Sequence, residues 1–410
     1  MVPHPFAPST NEVASGAIVS QRTPGFVLAI WLVYIVTSPM YVLPSGGPQP
    51  ADLALIVAAL PFLALIFINN GGKLNITLVI GFLFAGWAFT INIANYLFFP
   101  DISFLKKSLM YGYNMVVFSF VVCIFTRIPD RARYYSFIAI IITIIYQIIF
   151  VTFFWDPTYP RATGSFSNPN QLGYWSILSG IMLILLRRNY HIGLLHLLAL
   201  LALSYIVFFT QSKAAIFSFV ILWFVILTAL PLTFYLRCAL LTFTVVLSVF
   251  AFLNPNLFIN AYTSFIQSSK NIQTVIKDIR ATGQKKGESL EDRGYYRILQ
   301  KPHYAILGAG EGGYARFDKD KPNELHSGWA TLVLSYGMLG TITLGAFGLR
   351  LIYRQKWFYI ALMTPIVFYG FTHQNLRFTH FWVVLALLYV TPLLESCRAQ
   401  YAFQRRSSTS

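Results

Sequence analysis

Histidine and arginine recur in this chain where short polar stretches separate long apolar runs, and five such stretches carry most of the chemistry. Residues 161–173 read R-A-T-G-S-F-S-N-P-N-Q-L-G. Gly164 and Asn-Pro-Asn are turn residues, and Asn170 is expected to cap the next helix. A helix N-terminus beside Arg161 is a ready anion site, and a plain capped turn with an arginine reaching the interface is the simpler alternative. Thr210-Gln-Ser-Lys213 leaves only a tight hairpin between two apolar runs, and a lysine opening a helix opposes its dipole and calls for an anionic partner. Arg293 and Arg297 stand four apart, on one face of a helix. His326, in E-L-H-S-G-W, and His373 and Arg377, in T-H-Q-N-L-R, flank two further apolar runs. Imidazole titrates near neutrality and serves as a base or as a proton donor to phosphate. Clustered with these cations, it points to chemistry on an anion.

Two other motifs carry less. Gly308, Gly310 and Gly313 spell GxGxxG, but no βαβ context surrounds them, so a dinucleotide site is excluded and only an anion-binding loop stays open. Asp318-Lys-Asp320 has the form of a metal-holding DxD, yet lysines flank and interrupt it, and a solvated loop is the expected reading. No metal or other cofactor is expected.

The elements that position these residues follow from composition. Of 410 residues, 56% are hydrophobic and 11% charged, less than half the charge of an ordinary soluble domain. Apolar runs long enough to cross a bilayer recur. They give about twelve helices, near 25–43, 51–69, 74–98, 108–126, 134–155, 170–186, 193–209, 213–230, 236–253, 326–349, 358–371 and 379–394. The expected organisation is an all-α integral membrane protein: a tail at 1–24, nine helices through 253, a long and partly helical loop at 254–325, three helices through 394 and a tail at 395–410. The first run lacks the basic start and cleavage site of a signal peptide and reads as a retained span. Cys123, Cys238 and Cys397 lie in or beside spans and at the tail, and offer no disulfide framework.

The net charge of +16 would suggest nucleic acid in a soluble protein, but here it reports topology. With the N-terminus in the cytoplasm, inner connections hold fourteen cations and short outer loops five, as the positive-inside rule requires. Nucleic-acid binding is therefore not expected. Arg161 and Lys213 are exceptions to that rule, each alone at an outer span end, and together with the long loop they place a basic cluster on the outer face.

These segments, in this order, resemble the O-antigen ligase and O-antigen (exopolysaccharide) polymerase superfamily. The resemblance rests on R-A-T-G-S-F-S-N-P-N-Q-L-G at 161–173, T-Q-S-K-A-A at 210–215, L-G-A-G-E-G-G-Y at 307–314 and H-S-G-W-A-T-L-V-L-S-Y-G-M-L-G at 326–340, and covers residues 160–345. It implies a GT-C-like helical membrane fold, a metal-independent glycosyltransferase of the bacterial inner membrane with cytoplasmic termini and a periplasmic active site, and a glycan donor on undecaprenyl diphosphate. The implied acceptor is another glycan or lipid A–core, and a chain-length-regulating membrane protein is a further implied partner. His326 matches the family histidine and Arg293 the loop arginine, with Arg297 beside it. Lys213 stands where arginine is usual and cannot make the planar two-pronged phosphate contact. Ser327 replaces a frequent asparagine.

The expected catalytic set is His326, Arg293 and Lys213, with Arg161, Arg297, Asn170, Arg377 and His373 binding diphosphate and glycan. Cations clamping a departing diphosphate stabilise charge that grows in the transition state, and His326 is expected to accept or orient the proton of the attacking acceptor hydroxyl. The first outer loop, Pro44–Asp52, is similar to exopolysaccharide polymerases of the superfamily and favours polymerase over ligase. A lipid-linked oligosaccharide flippase is the alternative of a different class. It is disfavoured because transporters place ionisable relays within spans, whereas these spans hold almost none beyond His196, with Asp52 at a boundary.

Overall fold

In a computed structural model, the apolar runs are helices and the polar stretches are their connections. The structure describes residues 25–43, 47–69, 71–72, 75–155, 161–187, 192–229, 295–317, 324–353 and 355–407. Among them the chain is helical with no strand, the economical solution where backbone groups must be paired inside each segment. The helices are α1 Gly25–Thr37, α2 Pro50–Asn69, α3 Ile76–Phe98, α4 Ser103–Arg127, α5 Pro129–Phe153, α6 Pro169–Leu186, α7 Leu194–Thr210, α8 Lys213–Ala229, α9 Tyr296–Gln300, α10 His303–Leu307, α11 Gly328–Ile352, α12 Trp357–Ala361, α13 Thr364–Thr372 and α14 Thr379–Ser407. Five of them, α2, α3, α4, α5 and α11, are long and apolar enough to cross a membrane.

Several boundaries depart from expectation. Helix α1 stops at Thr37, inside the apolar run read to 43. The run at 358–371 is two short helices, broken at Leu362 and Met363 ahead of Pro365, because a proline restricts the residue before it and cannot donate to the helix ladder. Helix α14 continues to Ser407, through the segment read as a tail. The expected span at 236–253, Arg293 and Asp318–Asp320 lie outside the described residues.

Helix α6 forms the centre. Every residue from Leu172 to Leu186 is buried, as expected of a helix apolar on all sides. It packs against α5, α7, α8, α13 and α14. Glycines set the approach: a Cβ at Gly180 would stand 2.8 Å from a Leu222 methyl, and one at Gly173 2.6 Å from the Ala215 Cβ. The N-terminal end of α6 thus lies directly on the N-terminal end of α8.

Two irregular segments interrupt the helices. After α1 the described residues 38–43 turn and leave the helix, and their backbone is satisfied by protein: Tyr41 N–H donates to the Ser165 carbonyl at 3.0 Å, and the Ser165 hydroxyl to the Pro39 carbonyl at 2.7 Å. Non-helical backbone within an apolar run is tolerable where it is paired in this way. The second is Leu307–Gly313. Helix α11 breaks at Gly337 (φ 63°, ψ −164°), and this loop fills the break. Ala309 and Gly310 amides donate to the Leu334 and Ser335 carbonyls, both at 2.8 Å, while the Trp87 indole takes the Tyr336 carbonyl. Glu311 and Gly313 amides go to the Asn92 and Ser103 side chains. The glycine-rich loop is therefore a helix splice with its amides already engaged, which removes the reading of it as an anion cradle.

Only glycine fits at the splice. A Cβ on Gly337 would lie 2.5 Å from the Ile306 carbonyl oxygen, in a backbone region that itself costs other residues about 1–3 kcal/mol. Gly337→Ala is expected to lower the melting temperature of the detergent-solubilised protein by several degrees, with the same direction for Gly308→Ala. Unchanged melting in both would show that the break is not a glycine requirement.

Candidate functional site

The connections at one end of the bundle enclose a polar cavity of about 530 Å³, within the range of small-molecule sites. Its residues come from segments far apart in sequence: Tyr34, Ser38, Tyr41 and Asp52 from α1, α2 and the stretch between; Lys107 from α4; Asn168, Asn170 and Gln171 from the start of α6; Glu324 to His326; and Tyr369, His373, Arg377 and His380 from α13, α14 and their connection. Each helix that ends there is followed by one that starts there, so the chain's alternation alone brings these stretches to a common end.

An ion network forms one wall. Arg377 reaches two carboxylates, with its Nε 3.1 Å from Glu311 Oε1 and its Nη2 2.5 Å from Glu324 Oε2. The Lys107 ammonium donates to Glu324 Oε1 at 2.7 Å. Glu311 is fully buried, and its Oε2 accepts from the hydroxyls of Tyr336 at 2.6 Å and Tyr111 at 3.1 Å. Its Arg377 contact is an ion pair without the alignment of a hydrogen bond. Burial pushes the Glu311 carboxyl above its ordinary value, while Lys107 and the two tyrosine hydroxyls pull it back down. The two cations and two carboxylates balance in charge. Glu324 is the most exposed of the four, at 38%, and so the partner most open to exchange.

Two straps hold the histidines together. The Gly328 amide donates to the His373 carbonyl at 3.0 Å, which lays the His326 segment along the His373 segment. Ser327 caps α11 by accepting from the Ala330 amide and donates to the Gly370 carbonyl at 3.0 Å. Gly328 and Gly370 allow the approach, since a Cβ on either would strike the Asn375 side chain. The Tyr369 ring stacks on His373 at 5.0 Å and on Tyr174 at 4.5 Å.

Of the residues expected from sequence, His326, His373, Arg377 and Asn170 line this one cavity. Arg161 is one bond behind it, donating to Asn170 Oδ1 at 2.6 Å and to the Thr210 carbonyl at 2.9 Å. It thereby satisfies the C-terminal end of α7, where a cation also complements the dipole. The helix cap is Asn168 rather than Asn170, accepting from the Asn170 amide at 2.8 Å. Pro169 lacks an N–H and takes the first helical position, which moves the cap one residue before it. The Asn170 side chain is thereby left to face Arg161. Lys213 opens α8 at the same end, after a hairpin so tight that Gln211 adopts φ 47°, and it does not line the cavity. Arg297 is apart from it. It is 2% exposed, its guanidinium within 6 Å of the rings of Tyr296, Tyr314 and Phe317, beside a small apolar cluster around Leu325 and Leu334.

Sequence reasoning missed Lys107, Glu311, Glu324 and Asp52. Lys107 entered only as a topological cation, and Glu311 was hidden inside the glycine motif. Lys107 pairs with Glu324 across 217 positions and Glu311 with Tyr111 across 200, so no local pattern marks them. Among the described residues, no three His, Cys, Asp or Glu side chains converge as a metal site would require.

The fold and cavity define the chain as an all-α protein with helices of membrane-spanning length around a polar, ionisable chamber at one end. No family model and no curated protein matches it.

The buried pair yields a test. Arg377→Ala strands the Glu311 carboxylate, which costs roughly 3–5 kcal/mol for a buried charge left alone. A carboxyl whose folded value lies above its unfolded one binds its proton more tightly when folded, so the loss is largest at alkaline pH and shrinks as pH falls through the raised value. Combining Glu311→Gln with Arg377→Ala should recover part of the stability lost by Arg377→Ala alone. Thermal melts at pH 5 and pH 8 read both effects, and a double variant less stable than the single would contradict the pairing.

Proposed function

We propose that this chain is a membrane glycosyltransferase of about twelve spans that transfers a glycan from undecaprenyl diphosphate to the end of another glycan, a surface-polysaccharide polymerase acting at the periplasmic face of a bacterial inner membrane. The observation that carries this reading is the juxtaposition, in one cavity at one end of an apolar bundle, of Lys107 and Arg377 with His326 and His373. A lipid diphosphate needs cations at the membrane boundary and an apolar surface for its tail. The exposed apolar side chains of α2, α3 and α11 provide such a surface.

In this reading the diphosphate exchanges with Glu324 for Lys107 and Arg377, while Glu311 keeps the guanidinium oriented from below. Charge that accumulates on the departing diphosphate then meets groups already in place, so little reorganisation is needed. His326, two residues from Glu324, donates a hydrogen bond to the leaving group. Asn170, braced by Arg161, faces the glycan. Arg293, outside the described residues, stays a candidate for the same clamp, whereas Lys213 opens α8 at the same end without lining the cavity. The cavity is confined to one end of the bundle and is built from connections, an arrangement that suits chemistry at a surface better than carriage across the bilayer. It includes Gly47, Gln49 and Asp52 of the first outer loop, the region that favoured a polymerase.

Two variants test this. His326→Ala, present in membranes at normal level, is expected to reduce polymer formation about 100-fold or more while still binding undecaprenyl diphosphate. Glu324→Gln removes the competing charge and is expected to tighten that binding roughly tenfold, about the worth of one charged hydrogen bond. Normal-length polymer from His326→Ala, or weaker binding by Glu324→Gln, would refute the assignment.

A further inference from the structure

Resting on that reading, we infer that Asp52 is the base of the transfer: it takes the proton of the attacking acceptor hydroxyl, and the wall around it is the acceptor-sugar subsite.

Two carboxylates line the cavity, Glu324 and Asp52, and their surroundings differ. Glu324 is held by two cations. Asp52 is held by neutral donors: the Tyr113 hydroxyl on Oδ1 at 2.8 Å and the Gln49 amide on Oδ2 at 2.8 Å, with the buried Tyr34 on the same wall. A carboxylate paired with cations is a poor base, because the pairing favours its charged form. Neutral donors favour that form too, but less than a full opposite charge does, and they fix the carboxylate's direction. An ionised carboxylate offers about four acceptor sites, so these two donors leave room for a substrate hydroxyl.

The Gln49 contact alone would make Asp52 an ordinary helix-capping residue, reaching back to the amide ahead of α2. Capping does not explain the rest of the wall. Tyr34 is buried and stacks on His380, whose Nε2 lies 3.2 Å from the Ser38 hydroxyl. Tyr34, Ser38, Asp52 and His380, from α1, α2, α14 and the stretch after α1, all face the same cavity. A buried polar group in an apolar bundle is costly unless it is partnered, so a chain of such groups with one face open to a chamber marks a binding surface. Rings beside hydroxyl and carboxylate acceptors suit a neutral pyranose, whose hydroxyls need acceptors and whose C–H face packs on aromatics. The Gln49 side chain fixes this wall from behind: it accepts from the Val42 and Leu43 amides and donates to the Leu43 carbonyl. Lys107 and Tyr113 lie six residues apart on α4, about 9 Å of helix rise, so the partner of Asp52 stands further along that helix than the cation.

The step balances. The acceptor oxygen bonds to the anomeric carbon of the donor, the bond from that carbon to the diphosphate oxygen breaks, undecaprenyl diphosphate departs carrying the electron pair, and the hydroxyl proton passes to Asp52 and then to water.

The test uses full-length protein in nanodiscs, the undecaprenyl-diphosphate glycan fraction of the host's membranes as substrate, and glycan-free undecaprenyl diphosphate as the binding probe. Asp52→Asn keeps the capping acceptor. It is expected to lose polymer formation by about 100-fold or more while binding undecaprenyl diphosphate as the wild type does. Formate, a small carboxylate, is expected to restore part of the activity of Asp52→Ala, an effect that loss of a helix cap cannot give. Polymer formation by Asp52→Asn close to wild type would overturn the inference, as would loss of polymer together with loss of diphosphate binding, or no response to formate. A wild type that neither binds undecaprenyl diphosphate nor makes polymer would overturn the glycosyltransferase reading beneath it.

Discussion

The arrangement at the cavity depends on one contact, the ion pair of Arg377 with the fully buried Glu311. A carboxylate removed from water is expensive and persists only where charge and hydrogen bonds surround it. Tyr111, Tyr336 and Arg377 do so here. Because Glu311 sits in the loop that fills the break in α11, and Arg377 in the connection between α13 and α14, the pair ties the glycine-rich segment to the last helices. It also fixes which edge of the guanidinium points into the chamber. The same side chain that holds the fold together is thereby aimed at Glu324.

Much of this was legible in the sequence, for definite reasons. Helices follow from apolar runs because a bilayer leaves a chain few alternatives, and alternation then brings His326, His373, Arg377 and Asn170 to a common end. The partners inside that end were not legible. Glu311 is hidden among glycines whose spacing suggested another use, and its significance lies in Tyr111 and Arg377, remote in the chain. Arg297 reads as one more outer cation, yet it is enclosed by aromatic rings. The cap at Asn168 was missed by two residues because the proline between the asparagines decides it.

The sequence led to the expectation of a pocket of positive groups. The chamber instead has matched charges on one wall and a carboxylate held by neutral donors on another. A matched wall explains how several cations can gather in an apolar bundle without mutual repulsion, and it makes Glu324, the most exposed member, the natural point of exchange. The difference between the two carboxylates is the kind of asymmetry from which acid and base roles are assigned.

Helix α14 has 29 residues, about 43 Å of rod, against a hydrocarbon layer of about 30 Å. A rod of that length that begins at the chamber exceeds such a layer by roughly 13 Å, with Pro392 interrupting its hydrogen-bond ladder on the way. Residues 399–407, about nine in all, make up that excess. In a bilayer, a last helix that overshoots the acyl layer in this way would set the depth of the chamber at its other end.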